Sequence, residues 1–136
     1  MLLEIEESYN FEFLLFGIGC HESSHRICWL LNRQLGLSLG FKDVLKIPLK
    51  KAVSEHDYYQ YTDEELGIVY TLIDNRSENS VLLKEYKQID FFLKVEDDQQ
   101  LDADELRKKI STIPSVQTCF RTEVDGLKSK QHLIFD

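Results

Sequence analysis

An apolar run, Phe13-Leu14-Leu15-Phe16-Gly17-Ile18, fills the segment from Phe11 to about Gly19 and limits what this chain can fold into. The run does not alternate with polar residues, as a strand with one solvated face would, so it predicts a central strand that is buried on both faces. A second apolar segment, from Ile89 to Val95, has every second residue on one face of a strand. We expect these two strands to lie side by side in the centre of a sheet.

Two further segments have helical periodicity, and they are residues 24–35 and 102–113. Ser23 or Ser24 can cap the first helix, and Gly36 supplies a left-handed stop at its end. The second helix begins at an aspartate with a glutamate three residues later, which resembles a capping box, and a proline follows its end. Both helices therefore have local start and stop signals.

The remaining strands are predicted at residues 44–49, 56–61, 66–73 and 116–121, with a short edge strand at 132–135. Residues 56–61 and 66–73 form a hairpin around a polar four-residue connection. The element order predicts an α+β fold of the ferredoxin-like, split βαβ kind. It has a mainly antiparallel sheet, an inserted β-hairpin and two helices packed on one face. No linker or repeat divides the sequence, so residues 1–136 are expected to form a single α+β domain.

Composition and charge disfavour a nucleic-acid-binding or membrane-spanning protein. The chain has 136 residues and a formal net charge of −8, which disfavours binding to nucleic acid. No apolar stretch approaches the roughly 18 residues of a membrane span. The 3 cysteines form no CxxC motif, so reduced thiols and a cytoplasmic location are expected. Nothing in the sequence indicates a cofactor.

Two acids, Glu85 and Asp90, stand just before and within the second apolar segment. From Leu83 onwards the sequence reads LKEYKQIDF. This stretch resembles the signature of the IPExxxVDY family, a bacterial family of unknown function. Glu85 and Asp90 match the acids of that signature, and Lys84 stands in place of its proline. The resemblance implies a bacterial protein and no assigned activity.

Asp90 has two interpretations. Alternation places it with Phe92 on the strand face opposite Ile89 and Phe91. There it can anchor the fold by accepting hydrogen bonds from a neighbouring strand, or by pairing with a base such as Arg121. The alternative is that its carboxylate recognises a ligand or a partner. The structural role is favoured.

The segment around the start of the first helix contains potential metal ligands. His21, His25 and Cys28 are spaced so that they would share one helix face and could hold zinc. A cap at Ser23 would place His21 before the helix, and no fourth ligand is evident. Exposed histidines and a structural cysteine are therefore favoured over a metal site or a catalytic thiol, and no catalytic residue is assigned.

The outer face of the first helix carries His25, Trp29 and Arg33 at successive turns, opposite its apolar stripe. An exposed tryptophan flanked by arginine is typical of protein interfaces. The alternative is that Trp29 packs against the neighbouring helix or the N-terminal segment. The sequence thus favours a non-enzymatic module that binds a protein partner or forms a homodimer, through this face or through an exposed sheet edge.

Two other functions stay open. Residues 89–121 resemble half of an ACT-like regulatory domain, which implies a small-molecule ligand bound between sheet and helix N-terminus. The third is an enzyme or metal-binding protein that uses His21, His25 and Cys28.

Overall fold

Six strands form one antiparallel sheet in the computed structural model, which describes residues 13–78, 80–96, 101–124, 127 and 130–133. The strands are β1 (Leu14–Cys20), β2 (Gly40–Pro48), β3 (Val53–Asp63), β4 (Ile68–Asp74), β5 (Phe91–Glu96) and β6 (Val116–Arg121). The helices are α1 (Ser24–Leu35) and α2 (Ala103–Ser111), and single 3₁₀ turns span Lys84–Tyr86 and Lys130–Leu133. Across the sheet the order is β2-β3-β4-β5-β1-β6.

The two apolar segments are neighbours inside the sheet, as the sequence predicts. β1 pairs antiparallel with β5 on one side and with β6 on the other. The α+β class, the antiparallel sheet and the two helices are therefore confirmed. The long β2-β3-β4 meander extends the sheet from β5, and β4 is the strand of the meander that pairs with β5.

The sheet has an apolar cluster on each face. Both helices contribute to the first cluster, where Ile27 and Leu31 of α1 and Ile110 of α2 lie with Phe16 and Leu93. The helices thus cover the same face of the sheet. The second cluster is covered by the segment around Leu82 and Leu83 and by residues beyond β6, with the central side chains Leu15, Ile73 and Phe92 beneath them.

Local signals set the bounds of α1. The Ser23 hydroxyl accepts the Arg26 N–H at 3.2 Å, and Gly36 adopts the left-handed conformation with φ 67°. At α2, the Asp102 carboxylate accepts the N–H groups of Asp104 and Glu105. Both helices begin where the sequence predicts their caps.

Other bounds differ from the sequence prediction. β5 begins at Phe91, because Lys84–Tyr86 forms a 3₁₀ turn, and Ile89 consequently lies in the second cluster with Phe92. Residues Lys130–Leu133 form a 3₁₀ turn where part of an edge strand was expected. Residues 11–12 and 134–135, where predicted strands also extend, lie outside the described residues. No helix in the described part of the chain is long and apolar enough to span a membrane.

Glycines in β1 make room for side chains of β6. A Cβ on Gly17 would come within 2.8 Å of the Phe120 ring, and one on Gly19 within 2.7 Å of the Thr118 methyl group. These residues are direct cross-strand partners, Gly17 with Phe120 and Gly19 with Thr118. The glycines therefore let β6 lay its side chains across the surface of β1.

Candidate functional site

The Asp90 carboxylate joins three segments at one end of the sheet. One oxygen accepts the backbone N–H of Cys20 at 2.9 Å, and the other accepts Nε–H of Arg76 at 2.9 Å. Its basic partner is thus Arg76 and not Arg121, which lies on β6 opposite Phe16. The expected acceptance of a hydrogen bond from a neighbouring strand is seen at Cys20.

Strand alternation turns the Cys20 N–H toward Asp90, on the same side of β1 as the Ile18 carbonyl. A bulge between Gly19 and Cys20 interrupts the pairing of β1 with β6, so that Thr118 lies opposite Gly19 while Val116 lies opposite Cys20. On the other side of β1, the Asp90 N–H donates to the carbonyl of Ile18. The side chain of Asp90 therefore continues the β1–β5 pairing beyond its last backbone hydrogen bond.

Asn75 holds the loop that positions Asp90. Its amide nitrogen donates to the carbonyls of Tyr86 and Ile89 at 3.0 and 2.7 Å, and its side-chain oxygen accepts the Leu83 N–H at 3.0 Å. Its backbone N–H donates to the Asp90 carbonyl. Asn75 is fully buried, although it stands in a polar run of the sequence, residues 74–80. Its identity as a turn residue was visible in the sequence, whereas its partners 8 to 14 residues away were not.

A cleft of about 410 Å³ opens beside Asp90. Its lining comes from the end of β1, the start of α1, the end of β4 and the start of β5; it consists of Cys20, His21, Glu22, Ser23, Ser24, Asp74, Arg76, Asp90 and Phe91. The Arg76 side chain is 52% exposed, and only Nε of its guanidinium group makes a hydrogen bond among the described residues. The cleft thus combines a cationic donor group with three carboxylates.

Burial sets the proton affinities of two groups in the cleft. Burial raises the pKa of the Asp74 carboxyl group, with further increases from the charges of Asp57 and Asp90 and an opposing hydrogen bond from the Arg76 N–H. Burial also raises the pKa of the Cys20 thiol. Because the thiolate is the reactive form, Cys20 is a poor nucleophile at neutral pH.

The two signature acids occupy different places. Glu85 lies exposed on the 3₁₀ turn and does not line the cleft, whereas Asp90 is largely buried in it. Between these two acids the chain runs from the second apolar cluster to the start of β5. Only Asp90 of this pair can contribute to a site in the cleft.

His21, His25 and Cys28 do not converge. His21 lines the cleft before α1, and the His25 ring makes an edge contact with Tyr59. Cys28 is buried, with its thiol 3.4 Å from the Leu39 carbonyl. Within the described residues, no group of three His, Cys, Asp or Glu side chains is arranged to hold a metal ion.

Trp29 lies on the outer face of α1 with 47% of its surface exposed. Two guanidinium groups lie over its ring, that of Arg26 at 4.7 Å and that of Arg33 at 5.4 Å from the ring centroid. Arg33 was anticipated from the helical spacing, but Arg26 was not, although it stands three residues before Trp29. His25 lies exposed on the same helix and contacts Tyr59.

A groove of about 250 Å³ runs beside Trp29 between α1 and the end of α2. Its lining consists of Arg26, Trp29, Leu30, Arg33, Gln34, Ile113 and Pro114. A hydrogen bond of 2.6 Å from the Gln34 amide to the Thr112 hydroxyl joins the two helices at the groove. The surface formed by these lining residues is called the Trp29 groove below.

No protein-family model matches this chain, and comparisons with curated proteins and with solved structures give no match either. The resemblance to the IPExxxVDY family accordingly stays a prediction. Because one fold can host many functions, a proposal about function has to rest on the geometry of the cleft and the Trp29 groove.

Proposed function

We propose that this chain is a non-enzymatic protein-interaction module that binds a partner through the Trp29 groove. The observation that carries the proposal is the exposed Trp29 side chain, which has the guanidinium groups of Arg26 and Arg33 over its ring and lies beside an apolar groove. Trp and Arg are the residue types that most often dominate interface energies. Both arginines are already held on the ring, which reduces the entropy lost when a partner binds.

The sheet edge at β2 is a weaker candidate for the binding surface. β2 is the edge strand, and its register shifts between Phe41 and Asp43. This strand also carries two lysines and ends at Pro48. Bulges, lysines and prolines are features that discourage a further strand from pairing with an edge. The Trp29 groove lacks such protection, which favours it as the docking surface.

Co-purification from the native cytoplasm tests this function. Tagged wild-type protein is compared with a Trp29→Glu variant and with a Leu66→Glu control, whose substituted side chain is 46% exposed in the β3–β4 connection. We expect a partner that is retained by the wild type and the control but lost by Trp29→Glu. Thermal unfolding of all three proteins checks that each variant is folded.

Two results would count against the interaction function of the Trp29 groove. The first is a partner retained equally by all three proteins. The second is the absence of any stoichiometric partner when the wild type is expressed at its natural level. No reaction is proposed for His21, His25 and Cys28, because these side chains point to different surroundings.

A second candidate function is small-molecule sensing of the ACT-like kind, and the cleft beside Asp90 favours it. The cleft lies between the sheet and the start of α1, where such domains bind ligands. To test it, the melting temperatures of the wild type and of Arg76→Gln are measured with and without amino acids and nucleotides. A ligand that raises the melting temperature of the wild type alone supports sensing. Equal shifts in both proteins, or none with any compound, reject the cleft as the sensor.

We further infer that the fold is ferredoxin-like. The frame would consist of β1, α1, β4, β5, α2 and β6, and the shared helix face and the neighbouring β4, β5, β1 and β6 support this. The inserted hairpin would then be β2 and β3, and not the predicted pair at residues 56–61 and 66–73, because β4 pairs with β5. We also propose that the chain is a bacterial, cytoplasmic protein of the IPExxxVDY family. Support for the cytoplasm comes from 3 buried free thiols, which suit a reducing compartment. Nucleic acid and membranes are not proposed as partners of a chain with net charge −8.

A further inference from the structure

We propose that the partner of the Trp29 groove is an acidic segment of another protein, with at least two carboxylates flanking one apolar side chain. This inference rests on the proposed function and names the chemistry of the partner. The juxtaposition that carries it is a pair of guanidinium groups over one indole ring, beside an apolar groove.

The charges of the groove are positive in a chain that is negative overall. Arg26 and Arg33 line the groove and are exposed, and neither forms an ion pair among the described residues. The complete sequence carries 24 acids against 16 basic residues. A local positive site on an acidic protein steers an acidic segment to this place and away from the rest of the surface.

Geometry adds to this preference. Arg26 precedes Trp29 by three residues and Arg33 follows it by four, so the two arginines stand about two helical turns apart on α1. Their contacts with the ring leave guanidinium N–H groups that can donate hydrogen bonds to carboxylates in a bidentate arrangement. Two carboxylates about two helical turns apart match this spacing.

The apolar part of the groove accommodates one side chain. Leu30, Ile113 and Pro114 line it beside the indole, and its volume is about 250 Å³. A cavity of about 150 Å³ is large enough for a benzene molecule, so a leucine or phenylalanine side chain fits here. A partner segment with one apolar side chain between acidic residues would therefore contact both the apolar part of the groove and its two arginines.

A second copy of this chain is a poorer occupant when it binds by twofold symmetry. A twofold contact centred on Trp29 would bring Arg26 and Arg33 of one copy close to the same residues of the other. Like charges facing each other across an interface oppose association. We therefore assign the complementary surface to another protein.

Trp29 itself reports the binding, because it is the only tryptophan of the chain. The probes are an amphipathic helical peptide of glutamate and leucine, and two matched peptides in which glutamine or lysine replaces each glutamate. Titration is followed by Trp29 fluorescence. We expect the glutamate peptide to bind about tenfold more tightly than the glutamine peptide, and the lysine peptide not to bind. Affinity for the glutamate peptide should fall with added salt.

Charge reversal provides the decisive variant and leaves the indole in place. Arg26→Glu/Arg33→Glu should lose the glutamate peptide and gain the lysine peptide. The control Lys42→Glu/Lys46→Glu changes the net charge by the same amount on exposed positions of β2 and should behave as the wild type. All substituted side chains are exposed, and thermal unfolding verifies that both variants fold.

Each result separates the partner chemistry from the proposed function. The proposal of an acidic partner is overturned if the glutamine peptide binds equally well, or if no peptide changes the fluorescence. In either case, loss of a captured partner in Trp29→Glu would still support the interaction module. Self-association of the wild type that disappears in Arg26→Glu/Arg33→Glu would make the chain its own acidic occupant and overturn a separate partner. If the peptides fail and Trp29→Glu retains every partner, both proposals fail.

Discussion

Asn75 shows how one buried polar residue can organise a loop that sequence patterns describe only as polar. Its side chain makes hydrogen bonds to three backbone groups of residues 83–89, and the same segment supplies Leu82 and Leu83 to the second cluster. Buried polar groups are costly unless they are paired, and here each partner is a backbone group that β-pairing does not use. This single side chain fixes the path of the chain into Asp90.

Asn75→Ala should lower the free energy of unfolding by about 2–4 kcal/mol, because it leaves backbone groups of the loop buried without partners. Asn75→Asp keeps the acceptor for the Leu83 N–H but loses both donated hydrogen bonds, so it should also destabilise the protein. Urea denaturation measures both effects, with Gln131→Ala on the exposed surface as the control. A loss below about 0.5 kcal/mol for Asn75→Ala would contradict this role.

His56 is a second buried polar residue whose environment fixes its protonation. Nδ1 lies 2.9 Å from the Asp74 carbonyl, which can only accept, so Nδ1 carries the hydrogen and Nε2 accepts the Ser54 hydroxyl. Burial lowers the pKa of His56, with His132 adding to the decrease, while the hydrogen bond to Asp74 and the charge of Asp57 oppose it. The neutral ring is therefore the form that the fold accommodates.

The unfolding free energy should fall as the pH drops below 6.5, the ordinary pKa of the histidine side chain. In that range unfolded His56 binds a proton that the folded protein does not bind, so the stability lost is at most about 1.4 kcal/mol per pH unit. Above 6.5 both states are neutral and this contribution is constant. Urea denaturation at several pH values should give a smaller slope for His56→Gln than for the wild type or for the exposed control His25→Gln. Equal slopes in all three proteins would contradict a buried neutral His56.

At the scale of elements, β1 and β6 are matched to each other. Gly19 stands opposite Thr118, whose methyl group occupies the space that a Cβ on Gly19 would take. Gly17 has the same relation to Phe120. Between Gly19 and Cys20 the pairing shifts, and the Cys20 N–H turns to Asp90. The packing of β1 against β6 and the hydrogen bond to Asp90 in the cleft thus involve two neighbouring residues of β1, Gly19 and Cys20.

Gly19→Ala should cost about 1–3 kcal/mol, because its Cβ would overlap the Thr118 side chain. Thr118→Ser removes the obstructing methyl group and should restore part of the stability in the double variant. The double-mutant cycle, measured by thermal or urea unfolding, should therefore give a favourable coupling between the two substitutions. Additive effects would place the cost of Gly19→Ala elsewhere, for example in the distortion of the backbone near Asp90.

The helices and β5 show which elements can be predicted from sequence. α1 begins and ends as expected because its signals, Ser23 and Gly36, act within one helical turn. The start of β5 was wrong by two residues, because the segment before Phe91 is held by Asn75 across the loop. The same distinction applies to the sites: exposure of Trp29 follows from local helical spacing, whereas the pairing of Asp90 with Arg76 depends on how distant segments meet.

For the whole molecule, the two faces of the sheet are protected differently. Helices cover one face, whereas loops and the segment beyond β6 cover the other. Leu133 is fully buried there, and its carbonyl accepts a hydrogen bond of 2.6 Å from the buried ammonium group of Lys94. A short edge strand was predicted at residues 132–135, but burial against the second cluster needs only that Leu133 reach the sheet. Leu133 is thus part of the core.

Leu133→Ala should consequently lower the free energy of unfolding by about 2–4 kcal/mol, as expected when a leucine is removed from a packed core. Leu66→Ala, at an exposed leucine, should change it by less than about 0.5 kcal/mol. Because Leu133 covers the face opposite the helices, Leu133→Ala should also make the amide hydrogens of Leu82 and Leu83, which cover the same face, exchange faster than those of α1 and α2. Equal acceleration in both places would mean that the two coverings of the sheet unfold as one unit, and an unchanged stability would mean that the segment beyond β6 does not contribute to the core.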